Sequence, residues 1–226
     1  MPLNNSVESA LLAISRGEMV IVTDNEDREN EGDLIMAACF ANSQSIAFMV
    51  RYSSGVLCVP LPRERLDELD IPLMVTRNDD AMTTAFTVTV DLKNGTSTGI
   101  SAMDRAATIR ALVSPDSKPQ HFSRPGHIFP LRAMEGGVLE RPGHTEAATD
   151  LTRLAGLPVG GVIGELVNDD GTMMRGAKLK IFANHHKLSM ITIDELIAYR
   201  ISLGDIGVSI RRDIQPVLHL TKIITA

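Results

Sequence analysis

The sequence predicts an α/β fold of the α+β type, built as one mixed β-sheet with helices packed on it. Amphipathic and β-branched segments alternate along the chain and are separated by Gly, Pro and Asn. They do not keep the strict strand–helix–strand rhythm of a purely parallel sheet. The apolar runs at residues 19–23 and 34–39 are joined only by a polar loop, so we expect these strands to be antiparallel neighbours.

Each predicted element rests on its own local pattern. Short runs rich in β-branched residues predict strands, while Pro62 and Ser101 mark two helix starts because both residue types are favoured there. Residues 114–143 are rich in Pro and Gly and are predicted to be irregular. The predicted strands are residues 19–23, 34–39, 56–61, 85–90, 161–167 and 188–193, and the predicted helices are residues 7–16, 46–51, 63–69, 102–113, 145–154, 178–185 and 194–199.

Composition limits the kind of protein that the chain encodes. No break in composition marks a linker within the 226 residues, so we expect one domain over residues 1–200 and a tail at 201–226. A net charge of -6 without a basic block argues against a nucleic-acid partner. Two cysteines are too few for a disulfide framework. Because neither a signal peptide nor a spanning segment is recognisable, we expect a cytoplasmic protein without a membrane partner.

The polar segment at residues 24–33 carries six acidic side chains among its ten residues. Such a run is most often a solvated loop. Here, predicted strands anchor both ends, and Glu29, Glu31 and Asp33 alternate, which places them on one side of an extended segment. Clustered carboxylates are stabilised by a cation, and hard oxygen ligands suit Mg²⁺ or Mn²⁺. A calcium-binding EF-hand does not fit, because Ala38 falls where its bidentate glutamate belongs.

The tetrapeptide Arg-Pro-Gly-His occurs twice, at residues 124–127 and 141–144. Pro-Gly predicts a tight turn, so each copy should present one imidazole and one guanidinium group from a fixed backbone. A lone histidine is more often structural than catalytic, but two in the same short motif favour a functional role.

The segments that follow the two copies differ, which predicts different roles. His127 runs into an extended segment, whereas His144 and Thr145 lie at the start of a predicted helix. Free N–H groups, the helix dipole, the Thr145 hydroxyl and Arg141 would converge there on an anion such as a phosphate. The alternative is an ordinary helix start, at which Thr145 caps its own backbone.

Glu165 lies inside the apolar run at residues 161–167. Burying an ionised glutamate is costly, so we predict either a buried acid/base group or a side chain that faces outward at a strand edge. The Thr-Ser-Thr segment at residues 96–98 is a weaker candidate for binding sugar hydroxyl groups.

Together these segments resemble the motifs of the 3,4-dihydroxy-2-butanone-4-phosphate synthase family. The similarity runs from about residue 7 to about residue 200 and includes the acidic loop, both Arg-Pro-Gly-His copies and Glu165 in the family's order. The resemblance implies a lyase of riboflavin biosynthesis that converts D-ribulose 5-phosphate to L-3,4-dihydroxy-2-butanone 4-phosphate and formate. It also implies a three-layer fold and a homodimer with active sites at the subunit interface.

The resemblance assigns roles to individual residues. Glu29 and His144 would hold the metal, as a pair of Mg²⁺ (or Mn²⁺) ions in each site. His127 and Glu165 would be catalytic. The residues that would contact the substrate are Arg28, Glu29, Asp33, Arg141, Pro142, Gly143, His144, Thr145 and Glu165.

Two features depart from relatives of this kind. Tyr52 stands where many members carry histidine, so it receives no role. No cysteine follows Cys58, whereas the GTP cyclohydrolase II domain of some relatives needs a cysteine zinc cluster, so we expect a monofunctional enzyme. Two other classes stay open, namely a metal-dependent isomerase or class II aldolase and a non-catalytic phosphometabolite-binding protein.

Overall fold

In the computed structural model, which describes residues 5–204, seven strands form one mixed sheet with the order β4-β5-β3-β6-β2-β1-β7. Neighbouring strands are parallel in the pairs β1–β7 and β3–β5 and antiparallel in the others, which confirms the predicted mixed sheet. The antiparallel pairing of β1 with β2 is confirmed as well. The strands are β1 (Val20–Thr23), β2 (Gly32–Ala37), β3 (Cys58–Leu61), β4 (Val90–Leu92), β5 (Phe122–Arg132), β6 (Gly161–Glu165) and β7 (Ser189–Thr192).

Helices cover both faces of this sheet, which confirms the three-layer arrangement. On β2, Leu34 and Met36 face a core shared with α2 and α4, whereas Ile35 and Ala37 face a core shared with α1, α5 and α7. This alternation follows from the two-residue period of a strand. The helices are α1 (Asn5–Ser15), α2 (Ser43–Tyr52), α3 (Arg63–Glu68), α4 (Ala102–Val113), α5 (His144–Leu154), α6 (Ala177–His186) and α7 (Ile193–Ser202).

All seven predicted helices are present, and side-chain caps define several of their starts. Ser101 accepts a hydrogen bond from the backbone N–H of Asp104, as predicted for the start of α4. Thr192 and Glu195 form a capping box at the start of α7, which continues to Ser202. The predicted tail at 201–226 therefore begins inside this helix, and residues 205–226 lie outside the described residues.

The prediction of an irregular segment at residues 114–143 was wrong over the eleven residues of β5. Pro125 and Gly126 argued against a strand, because both residue types are disfavoured in strand interiors. They are accommodated where the register of the β4–β5 pair shifts: Val90 pairs with Ile128, but Asp91 pairs with Ser123. The first Arg-Pro-Gly-His copy is thus a bulge within a strand, and the tight turn predicted for it is wrong.

The strand predicted at residues 85–90 was also misplaced. Only isolated bridges form there, between Phe86 and Leu131 and between Thr87 and Leu73, and β4 begins at Val90. Pro130 of β5 accepts hydrogen bonds from Thr87 but has no N–H group to return, so the ladder cannot continue.

Candidate active site

A cavity of about 250 Å³ opens on the α5 face of the sheet. Of the ten residues predicted for the site, His127, Pro142 and Gly143 are not among those that line it. The other seven line it: Arg28, Glu29, Asp33, Arg141, His144, Thr145 and Glu165.

Three parts of the fold bring these side chains together. Asp33 of β2 and Glu165 of β6 are direct partners in the antiparallel register. His144 and Thr145 form the first turn of α5, and Glu29 lies in the loop between β1 and β2. The carboxylates, the imidazole and the helix N-terminus therefore meet around one cavity.

Asp24 holds the acidic loop in shape. One carboxylate oxygen accepts the backbone N–H of Glu31 at 2.8 Å, and the other accepts the backbone N–H of Glu29 at 2.9 Å and the Arg28 guanidinium at 3.0 Å. The sequence analysis gave Asp24 no role of its own. Asp and Asn side chains in turns often accept hydrogen bonds from nearby backbone N–H groups. The position of Asp24 at the start of the loop could therefore have indicated this role.

The donor atoms in the cavity fit a divalent cation. His144 Nδ1 lies 3.5 Å from a Glu29 oxygen and 3.8 Å from Asp33 Oδ1. Among the described residues, Asp33 Oδ1 and His144 Nε2 are buried without any hydrogen-bond partner. Candidate ligand atoms of Asp24, Glu29 and His144 also lie within 4.8 Å of one another. Since Asp24 already accepts three hydrogen bonds, Glu29, Asp33 and His144 are the better ligands.

Burial and crowding shift the proton affinities of this cluster. Burial, together with the nearby Glu165 and Glu29 carboxylates, raises the pKa of Asp33 to about 7. Burial alone would lower the pKa of His144, but Asp33 and Glu29 outweigh it and raise that pKa to about 9. The hydrogen bond from His144 lowers the pKa of Glu29. A cluster of this kind can exchange protons near neutral pH and changes charge when a cation binds.

Arg141 is held rigidly beside the cavity. Its guanidinium donates to Glu146 at 2.6 Å, to the Met82 carbonyl at 2.9 Å and to the Thr84 hydroxyl at 3.1 Å. A Cβ atom at Gly143 would lie 2.4 Å from the Arg141 guanidinium, so a larger residue there would displace that group.

The start of α5 beside Arg141 has features of an anion site. Gly143 is its N-cap, and no side chain caps the helix. The simple capping role considered for Thr145 is therefore wrong, and the helix N-terminus stays available to an anion beside Arg141.

Of the two alternatives predicted for Glu165, the buried one is wrong and the outward-facing one is confirmed. Its side chain is exposed at the last residue of β6, although β6 lies inside the sheet and is not an edge strand. Glu165 still lines the cavity. The buried carboxyl group is that of Asp33, its partner in the register, which is 2% exposed.

The segment at residues 96–98 gives no support to a sugar-binding role. Ser97 bonds to Asp104 at 2.7 Å and Thr96 bonds to the Leu92 carbonyl, so these two hydroxyl groups close their own loop. Cys58 lines the cavity, where burial raises the pKa of its thiol far above the usual range and keeps it protonated.

His127 lies apart from the other predicted residues. It sits in the β5 bulge, its side chain is 43% exposed, and its Nδ1 is 2.6 Å from Asp91 Oδ2. Four residues of extended strand, roughly 13 Å, separate it from Leu131, the residue of β5 that lines the cavity. Asp91 was not predicted from the sequence, because its partner His127 is distant in the chain.

Carboxylates, an imidazole and a fixed arginine around a small cavity are typical of metal-dependent enzymes that act on small anionic substrates. The chain belongs to the 3,4-dihydroxy-2-butanone 4-phosphate synthase family, whose sequence profile matches residues 8–199.

Individual relatives agree with this assignment. The chain is 61% identical over 193 residues to 3,4-dihydroxy-2-butanone 4-phosphate synthase of Agrobacterium fabrum, covering 85% of this chain and 91% of that protein. It is 57% identical over 195 residues to the riboflavin biosynthesis protein RibBA of Salinispora arenicola, covering 86% of this chain but only 46% of that longer protein.

The fold is also that of a solved member of the family. A crystal structure of 3,4-dihydroxy-2-butanone 4-phosphate synthase in complex with two magnesium ions superposes with a TM-score of 0.85 at 45% sequence identity. The match covers 88% of this chain and 99% of that one. Within the described residues, no helix of this protein is long and apolar enough to cross a membrane.

Proposed function

We propose that the protein is a lyase of riboflavin biosynthesis that converts D-ribulose 5-phosphate to L-3,4-dihydroxy-2-butanone 4-phosphate and formate. The observation that carries this proposal is the meeting of Glu29, Asp33 and His144 with Arg141 around one cavity. The chain is also 61% identical to a synthase of that name over 193 residues.

Glu29 and His144 would hold the metal, as two Mg²⁺ (or Mn²⁺) ions per site. The unpartnered, buried oxygen of Asp33 and nitrogen of His144 support a cation there, and a relative 45% identical was crystallised with two magnesium ions. A divalent cation supplies polarisation of the substrate's carbonyl and hydroxyl oxygens and stabilises the charge that develops on them.

The chain's own groups would position the substrate and move protons. Arg141 and the N–H groups at the start of α5 suit the phosphate end, with Pro142 and Gly143 shaping the backbone between them. Arg28 lines the cavity near Glu29 and suits the sugar hydroxyl groups.

Loss of water, a skeletal shift and release of formate each need a proton donor or acceptor in a fixed place. Glu165 reaches the cavity from the end of β6, where its exposed carboxylate can exchange protons with substrate and solvent. His127 is the second candidate, although it does not line the cavity of its own subunit.

We propose a homodimer in which His127 of one subunit completes the cavity of a second copy. Gly99 packs against the side chains of His127 and Asp91. Just beyond it in the chain, Ile100 is 51% exposed and Met103 is 65% exposed. Exposed apolar side chains beside a functional group favour a protein interface at that surface. The single domain over residues 1–200 and the cytoplasmic location stay predictions.

Incubation with D-ribulose 5-phosphate and Mg²⁺, with formate measured enzymatically, tests the activity. We expect formate release that EDTA abolishes and that Mg²⁺ or Mn²⁺ restores. His144→Ala should lose activity, whereas the control His185→Ala, altered at the end of α6, should keep it.

An isomerase or aldolase would consume the substrate without formate, and a binding protein would leave it unchanged. Either result would refute the proposed reaction. Full activity in metal-free buffer would refute the metal assignment alone.

A further inference from the structure

The β5 bulge brings His127 onto the side chain of Asp91. Residues 124–127 are the extra residues on β5, because Val90 pairs with Ile128 while the adjacent Asp91 pairs with Ser123. Bulges of this kind re-aim a side chain that a regular strand would point elsewhere.

Asp91 contacts His127 through both carboxylate oxygens. Oδ1 accepts the backbone N–H of His127 at 2.9 Å, and Oδ2 lies 2.6 Å from the imidazole Nδ1. An ionised carboxylate can only accept hydrogen bonds, so Nδ1 must carry the hydrogen. In a neutral ring held in this way, the lone pair is on Nε2, and the side chain is 43% exposed.

Two glycines keep this pair close together. A Cβ atom at Gly99 would lie 2.1 Å from Asp91 Oδ2 and 2.9 Å from His127 Nδ1. A Cβ atom at Gly126 would lie 2.0 Å from the carbonyl carbon of Val90. The bond to the backbone N–H already ties β4 to β5, and the shorter second contact fixes the orientation of an exposed ring.

We propose that Asp91 is a positioning residue, which fixes the Nδ1–H tautomer of His127 and aims Nε2 at the reacting substrate. This inference rests on the proposed function, because it assumes that His127 transfers a proton. Nε2 uses its lone pair to take a proton from a substrate C–H or O–H group, whose bonding electrons stay on the substrate. The ring then carries hydrogen on both nitrogens, Asp91 stays ionised, and Nε2 later returns the proton.

Asp91→Asn is the informative substitution. The backbone N–H of His127 needs an acceptor, so an asparagine at position 91 will place its amide oxygen opposite that N–H. Its NH₂ group will then face Nδ1 of His127. That arrangement forces the hydrogen onto Nε2 and leaves the strand contact intact. We expect kcat to fall by roughly 10²-fold to 10⁴-fold, the range for losing a general base or its correct tautomer, with KM close to that of the unaltered protein.

Two further measurements separate positioning from a structural role. Nitrogen-15 chemical shifts of labelled histidine, assigned with His127→Asn, should show hydrogen on Nδ1 in the unaltered protein and on Nε2 in Asp91→Asn. The double variant His127→Asn/Asp91→Asn should be no slower than His127→Asn alone. The control Ser123→Ala loses a 3.2 Å bond to the Asp91 carbonyl but no carboxylate contact, so it should keep kcat and the tautomer.

An Nε2–H tautomer in the unaltered protein, or an unchanged kcat in Asp91→Asn, would overturn the inference. If Asp91→Asn lowered kcat, raised KM and lowered the melting temperature together, Asp91 would have a structural role, and the inference would be overturned as well. If the unaltered protein releases no formate, the proposed function fails, whereas formate release with an inert Asp91→Asn result rejects only the role of Asp91.

Discussion

Cation binding to this site should depend on pH, because His144 must lose a proton first. Burial disfavours its charge, but Asp33 and Glu29 outweigh burial and raise its pKa from 6.5 to about 9. His144 is therefore protonated at neutral pH, and only the neutral imidazole coordinates a metal. At about pH 7, roughly two units below that value, losing the proton costs about 3 kcal/mol, because one unit corresponds to about 1.4 kcal/mol.

The sign follows from the same shifts. Affinity should increase as pH rises toward about 9 and level off above it. Asp33 acts in the same direction, because burial raises its pKa to about 7 and leaves the carboxyl group partly protonated at neutral pH. Between about pH 7 and about pH 8.5, the affinity should rise at least about 30-fold.

Calorimetric titration of Mg²⁺ in two buffers of different ionisation enthalpy measures both the affinity and the protons released. His144→Gln should bind weakly and lose the contribution of the imidazole to the pH dependence. His185→Gln, altered at the end of α6, should keep the full dependence and is the matched control. An affinity that stays constant over this pH range, with heats independent of the buffer, would refute the reasoning.

Three further predictions concern the substrate, the fold and the interface. Arg141→Lys should raise KM more than it lowers kcat, because a lysine cannot reproduce the planar fork that now bonds three partners; steady-state kinetics measure this. Arg200→Met should lower the free energy of unfolding by about 1.5–3 kcal/mol in urea denaturation, because the buried Asp150 carboxylate loses its 2.8 Å partner and keeps, among the described residues, only Arg153 and the Val138 N–H. Met103→Glu should shift sedimentation toward the monomer and reduce formate release, whereas Ile181→Glu, at a side chain 67% exposed on α6, should do neither.

Each of these has a result that contradicts it. An unchanged KM in Arg141→Lys would contradict the first prediction. The control is Arg63→Lys, on the exposed side of α3, which should keep the KM of the unaltered protein. Arg63→Met is the control for Arg200→Met: its pair with Asp67 is exposed, so it should cost at most about 1 kcal/mol. A loss just as small for Arg200→Met would mean that the buried pair contributes little. A fully active monomer would exclude the composite site.

The sequence predicted the elements that one local pattern decides. The β-branched run in β1 and the amphipathic period of α5 are examples, since neither depends on distant residues. The β5 strand could not be predicted in this way. Whether Pro125 and Gly126 are tolerated in a strand depends on the register shift beside Val90 and Asp91, which is a property of another segment.

The residues of the candidate site also differ in whether a local pattern in the sequence could indicate them. Glu29 and His144 stand in short motifs whose chemistry is local, so the sequence indicated them and the fold brings them together. Asp91 was missed because its partner is 36 residues away, and no local pattern links the two. The sequence left burial or exposure of Glu165 open, because an apolar run predicts a strand but does not say at which residue that strand ends.

The pairing of Asp33 with Glu165 across β2 and β6 has a consequence for engineering. Carboxylates placed opposite each other disfavour the folded state, and burial of Asp33 adds to this. Without added metal, Asp33→Asn should therefore melt at a higher temperature and yet lose formate release, which calorimetry and the activity assay would show together. Selecting variants by melting temperature alone would favour this inactive variant. At position 33, the carboxylate that activity requires lowers the stability of the folded protein.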